Sequence, residues 1–409
     1  MRRTPALAFL FATVLVDMLG LGIVVPVVPG LMTAVTGDPA AGARWSGWID
    51  ASFGVTQFLA APLLGRMADR YGRRPVLILA LSFLGLDYLA HAVANRPVTM
   101  LAAHALAGAL AGTTTVVNAY IADITPPADR PRAYGYVSAA FAVGFVAGPA
   151  IGGLLGTVNL RLPFLVAAAL AGANALYGGF VLPESRHGDR ATSVAWRAAN
   201  PFGSIAALLA PAHGPSPTPR RPGLAHLAVA RLLGDIARMA NQVTWTFVMV
   251  ARFGWRTGTV GAVLATSSLL GALVSVKLSG PYVRRLGLRR ATVVSACAGA
   301  VSLAGFGLAA PWLIVPMMGL GSVAALGGNA SQTWISEAAG ADEQGTVNGA
   351  LTGMSAIAEA GVPTVATAVF AWSLAVPLPG LVLVLAGAVA AGSALAFARA
   401  PRPARDLAR

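Results

Sequence analysis

The sequence predicts an all-α membrane protein of twelve spans in two repeated halves. Three observations lead there. Of the 409 residues, 56% are hydrophobic and only 11% charged, against about 25% charged in soluble chains. The apolar residues gather into runs of about 20, the length that crosses a bilayer. A basic loop also recurs: Gly65, Arg70, Gly72 and Arg74 have the spacing of Gly280, Arg285, Gly287 and Arg289, with Arg284 standing where the first copy has Asp69.

In chain order, the first run covers 6–30. It carries Asp17 and lacks a cleavable-signal pattern, so it reads as a span. Runs at 45–65 and 75–95 flank the basic loop, where Gly65 and Gly72 permit a tight turn and Pro75 suits the first turn of a helix. Runs at 97–122, 132–157 and 161–182 complete an N-terminal half, 1–182. Residues 183–222 are rich in Pro, Ser and Arg and read as a cytoplasmic linker without a core of its own. Runs at 223–250, 257–279, 289–309, 311–336, 345–373 and 377–399 make a C-terminal half, 223–409. Arginines concentrate in alternate segments, such as 66–74 and 284–290, while the intervening segments hold only Arg44, Arg96, Arg161, Arg252 and Arg256. This bias places both termini in the cytoplasm.

The net charge of +14 would suggest nucleic acid in a soluble protein. Here membrane orientation accounts for it, and no nucleic-acid partner is expected. The single Cys297 excludes an internal disulfide and a cysteine zinc cluster. No Walker loop, His-Glu-x-x-His helix, Asp-rich metal spacing or serine-hydrolase elbow occurs, so neither ATP drive nor an enzyme is expected, and no protein-bound metal.

The loop "GRMADRYGRRPVL" (65–77) strongly resembles the signature loop between helices 2 and 3 of the major facilitator superfamily. With "VDMLGLGIVVPVVPGL" (16–31), "LDYLAHA" (86–92), "AYIADIT" (119–125) and "GFVAGPAIGG" (144–153), the chain resembles the tetracycline/proton antiporters of the drug-efflux branch. The likeness is close over 1–184 and looser from 223. It implies two pseudo-symmetric six-helix bundles and a substrate site near mid-membrane. It also implies a gating loop of Gly65, Asp69, Arg70, Gly72, Arg73 and Arg74, in which Asp69 latches onto the N-terminal end of span 11. Gly144, Gly148, Pro149, Gly152 and Gly153 match the antiporter motif. We expect its glycine stripe to face the Ser267, Gly271, Ser275, Ser279 stripe of span 8 and to close the outer side.

Ionisable residues inside spans are costly and point to function. Asp17 and Asp87 match positions of functional aspartates in the resembled branch. They either line an aqueous cavity or make buried hydrogen bonds. His91 follows Asp87 by one turn and reads as a packed histidine. His104 stands where the superfamily usually has arginine, a titratable group in place of a fixed charge. Arg231, Asp235, Arg238 and Gln242 fall on one face of span 7, and Asp235 can pair with either arginine. Glu359, with no base in helical reach on its own span, is expected to carry a proton. Gly271 and Gly299 stand where the branch has a proton-coupling histidine and aspartate. Asp235, Arg238 and Glu359 offer a replacement set beside Asp17, Asp87 and His104. Lys277 is expected to snorkel outward.

Gln57, Asn118, Asn241, Gln242, Trp245, Asn329 and Gln332 can orient a mostly apolar ligand or join helices by hydrogen bonds. The expected function is proton-coupled efflux of an amphipathic drug, tetracycline first, by a monomer in a bacterial inner membrane. Protons are the coupling ion, and a divalent metal can enter bound to the substrate. Export of another antibiotic or natural product, or a non-transporting receptor-like relative, stays open.

Overall fold

The computed structural model describes residues 3–126, 129–185, 223–308, 310–339, 344–401 and 403. Most of the linker expected at 183–222 lies outside the described residues. Among these there are fourteen α-helices and no strand. The chain divides into two compact units, Met1–Ala199 with Trp255–Ser268 and Asn200–Gly254 with Leu269–Arg409.

The first unit begins with α1 (Arg3–Val24), a single 3-10 turn at Val25–Val27 and α2 (Val28–Thr36). Pro26 and Pro29 interrupt the helical hydrogen bonds there. Gly37 closes α2 with φ 77°. The Asp38 carboxylate then accepts from the Ala41 N–H at 2.7 Å and starts α3 (Pro39–Tyr71). The basic loop expected at 65–74 is mostly helix: α3 continues through Gly65 to Tyr71, and α4 (Arg73–Val93) begins at once. Only Gly72, at φ 105°, separates them, because a side chain at that angle would be strained. The single span expected at 97–122 is instead α5 (Pro97–Ala109) and α6 (Thr113–Ile124), with Gly112 at φ −142° and ψ 9°, outside helical geometry, between them. Gly108 and Gly112 followed by three threonines are weak helix formers, which explains the break. α7 (Arg130–Val158) and α8 (Leu162–Val181) complete the helices of this half. One core gathers Phe9, Leu10, Leu77, Tyr120 and Ile121; another, nearer the α4–α5 connection, gathers Leu31, Tyr88, Met100 and Phe164.

The α7 glycines correct an expectation. A methyl group added at Gly144 would lie 2.7 Å from the Leu15 carbonyl, and one at Gly148 would lie 2.6 Å from the Gly22 Cα. Gly152 is tighter still against Ile23. The stripe therefore faces α1, not the span 8 stripe, and a Cβ at Gly271 would meet open space. The next face of α7 meets residues 257–261 of the same unit, where a methyl at Gly153 would lie 2.8 Å from the Gly261 Cα. Two backbones approach α7 on adjacent faces because neither face carries bulky side chains.

The second unit holds α9 (Leu224–Phe253), the later part of α10 (Thr257–Leu286), α11 (Leu288–Leu308), α12 (Ile314–Ala338), α13 (Gln344–Ala375) and α14 (Leu381–Arg399). Gly287 at φ 78° is the single residue between α10 and α11, the counterpart of Gly72. Trp334, Phe397, Leu227 and Met354 anchor the core, with the Trp334 and Phe397 rings 5.8 Å apart.

Nine helical segments among the described residues are long and apolar enough to cross a membrane, and the chain is a multi-pass membrane protein. The spans expected at 45–65, 97–122 and 223–250 are outside that set. α3 is less apolar, α5 and α6 are each short, and α9 carries Arg231, Asp235 and Arg238. For those three, the count of twelve rests on the sequence reading.

Candidate functional site

In the first unit, α4 and α5 assemble an acid–imidazole group. Asp87 is 1% exposed. The His104 Nδ1–H donates to its Oδ2 at 2.7 Å. His91, one turn along α4, donates from Nδ1 to the Asp87 backbone carbonyl at 2.9 Å. That nitrogen also lies 3.2 Å from Oδ1, the closest polar contact of a buried oxygen that otherwise has no hydrogen-bond partner. The His91 ring stacks on Phe164 at 5.5 Å and meets His104 edge-on at 5.5 Å, and Phe53 lies 4.8 Å from His104. Asp50 of α3 is within electrostatic reach of all three polar groups. It was missed in the sequence, although a lone acid in the 45–65 run was the available signal. Asp17 is half-buried on α1 and makes no ion pair with a described residue. The Tyr88 hydroxyl lies against Gly20, one turn on, and feels the Asp17 charge.

The Gly72 junction is held by a residue that the sequence reading did not single out. Glu184, just past α8, accepts the Arg73 N–H at 2.9 Å and the Arg74 N–H at 3.2 Å. It therefore caps α4, whose own Gly72 N-cap offers no side chain. Its signal was an acid directly after the sixth apolar run. The Arg73 side chain pairs with Asp123 at 3.3 Å, and Arg74 donates to the Gly179 carbonyl. Arg70 is exposed over the Tyr71 ring. The side chain of Asp69 lies outside the described residues, and with it the expected latch.

In the second unit, α9 presents its charged stripe. Asp235 is 4% exposed. Arg231 Nε reaches both carboxylate oxygens at 3.3 Å, Ser355 of α13 donates to Oδ2 at 2.8 Å, and Arg238 Nε lies 3.6 Å from Oδ1. Asp235 thus pairs with both arginines. Arg231 also donates to Ser331 of α12 at 3.2 Å, and Arg238 to Gln242 at 3.4 Å. Glu359, half-buried on α13, is within electrostatic reach of Arg238 and Asp235. As expected, no base on its own helix reaches Glu359; Arg238, on α9, is the one that acts on it.

The candidate ligand contacts divide. Gln57 is half-buried, and Asn118 is exposed with its carbonyl accepting from Tyr134 at 3.4 Å. Gln242, Asn329 and Gln332 are exposed, the last two bonded to Ser279 at 3.5 Å and Asn348 at 3.2 Å. The Asn241 Oδ1 is buried without a hydrogen-bond partner. Trp245 is buried with its ring edge-on to Phe306. Lys277 is exposed.

The family model for the Major Facilitator Superfamily matches residues 10–363. The chain belongs to this superfamily. It is 34% identical over 377 residues to the tetracycline resistance protein, class C, of Escherichia coli, covering 91% of both chains. It is 29% identical to the class G protein of Vibrio anguillarum, over 94% of this chain and 96% of that one. Multidrug resistance protein 1 of Bacillus subtilis is 36% identical over 172 residues, 42% of this chain and 43% of that one. Among solved structures, the nucleoside transporter NupG superposes with TM-score 0.73 at 15% identity, covering 97% of this chain and 98% of that one. The human organic anion transporter MFSD10 gives 0.68 at 21%, covering 97% and 99%. These superpositions carry the fold. As a major facilitator chain the protein is a membrane transporter, related over almost its whole length to drug-resistance proteins.

Proposed function

We propose that the chain exports an amphipathic small molecule, tetracycline first, in exchange for protons, by alternating access. The observation that carries the exchange is Glu359: a half-buried carboxyl on α13 beside, but not bonded into, the Asp235–arginine cluster. A carboxyl so placed can take and give a proton while its neighbours hold the local charge. Asp17 has the same standing in the first unit, next to Tyr88. In this reading Asp235 with Arg238 is a fixed pair and Asp87 with His104 an adaptable one. Protonation of the two free carboxyls weakens drug binding on the outer face. The difference in affinity between the two states supplies the direction. Support for tetracycline is the identity to the class C protein over 91% of the chain. The arginine bias favours both termini inside, and the likeness to bacterial relatives favours a bacterial cytoplasmic membrane.

The test is drug resistance in an efflux-deficient bacterium, with Glu359→Gln and Asp17→Asn in parallel. The expected result is tetracycline resistance with the intact chain and its loss, at unchanged protein level, in each variant. Export of another antibiotic or natural product is a second reading, favoured by Gly271 and Gly299 standing where the resembled branch has ionisable residues. It is the outcome if resistance appears to other drugs only. Unchanged sensitivity to every compound points to the receptor-like relative.

A further inference from the structure

We propose that Asp87, His91 and His104 form a binding site for one divalent transition-metal cation of the zinc class, joining α4 to α5. Two imidazoles and a carboxylate are the donor set that zinc takes in sites with three protein ligands and one open position. The three residues each bring a donor atom, and these atoms lie within 4.8 Å of one another. No other group of three His, Cys, Asp or Glu with this proximity occurs among the described residues.

The geometry is close to what a cation needs. With metal–ligand bonds of about 2.0–2.1 Å, tetrahedral donors stand about 3.3 Å apart. His91 Nδ1 and Asp87 Oδ1 are already 3.2 Å apart. His104 Nδ1 lies 2.7 Å from the other oxygen, Oδ2, so binding through Oδ1 requires the Asp87 carboxyl and the His104 ring to turn slightly toward a common point. On loading, each imidazole carries its hydrogen on Nε2 and offers Nδ1 to the cation, and His91 gives up its bond to the Asp87 carbonyl.

Two further observations point to a ligand. Asp87 Oδ1 is a buried carboxylate oxygen without a hydrogen bond. An orphan acceptor of this kind bears its desolvation cost uncompensated, and a cation in the cluster would satisfy it. Asp50 lies within electrostatic reach, so two carboxylates balance a double positive charge between neutral imidazoles. The rings are also held: Phe164 stacks on His91 and Phe53 packs on His104, the kind of surround that fixes ligand orientation. The His104 side chain is 23% exposed, which leaves the open position a way in. The site lies about 9 Å from the end of α4, six residues before Val93.

The test uses the full chain, purified in detergent, with any affinity tag removed and metals stripped by a chelator. Cobalt(II) is titrated in and read by its visible d–d absorption, then displaced by zinc(II). The expected result is one equivalent of cobalt with the intensity of a four- or five-coordinate site. His91→Gln and His104→Gln should each weaken it at least about tenfold, while His226→Gln should leave it unchanged. Size exclusion and thermal unfolding confirm that the variants are folded. Absence of stoichiometric binding by the unmodified chain overturns the proposal, as does undiminished binding by either cluster variant. No transport is measured, so the proton-exchange reading stands or falls separately.

Discussion

Among the described residues, each half buries one aspartate, and the two settle their charge differently. Asp235 is held by arginines four residues before and three after it on its own helix, with Ser355 added from α13. Asp87 is held by imidazoles, one from its own helix and one from α5. A guanidinium is always charged, so the second-half cluster is a fixed electrostatic unit. An imidazole can lose its charge or change the nitrogen it offers, so the first-half cluster can adapt to what it meets. The two halves thus carry a fixed and an adaptable buried acid on helices that do not correspond in the repeat: α9 opens its half, whereas α4 follows the Gly72 joint.

The comparison can be broken most directly at the aspartates. Asp235→Ala leaves two arginines without their acid and should cost roughly 3–5 kcal/mol, toward the lower end because the Arg231 and Arg238 side chains are 30% and 54% exposed. Asp87→Asn removes a carboxylate whose partners can stay neutral and should cost about 1–3 kcal/mol. Thermal unfolding in detergent ranks the two, and a reversed order would end the distinction.

The glycines sharpen it next. Gly148→Ala puts a methyl 2.6 Å from the Gly22 Cα and should destabilise by about 1–3 kcal/mol. Gly271→Ala meets open space and should be neutral or stabilise by up to about 1 kcal/mol. Equal melting temperatures would mean that the α1–α7 contact is looser than its geometry. The smallest destabilisation falls at the cap. Glu184→Ala uncaps α4 at a cost of about 0.5–2 kcal/mol. Faster amide exchange at Arg73 and Arg74, with little change elsewhere, is the expected reading.

Most of the fold was legible because apolar runs and a repeated loop are local signals. Asp235 and its arginines were legible too, since steps of three and four residues put side chains on one face. The pairing of Asp87 with His104 was not, because it depends on how α4 meets α5 across a turn. Arg238 was expected near Asp235, but its nearness to Glu359 comes from another helix and left no trace in either segment. The direction of the α7 glycine stripe was misread for a related reason. Spacing shows that a backbone will come close without saying which one. The expected 65–74 loop failed locally, since its arginines and aspartate suit a helix as well as a loop, and only Gly72 demands a break.

That break has a practical corollary. α3 and α4 meet through Gly72 alone, and α10 and α11 through Gly287 alone. These joints have no slack. A residue inserted into either helix beside the joint would turn the part beyond it by about 100° and slide it about 1.5 Å, carrying buried side chains toward lipid. The two glycines should tolerate changes of identity poorly, and the adjoining helical turns changes of length hardly at all.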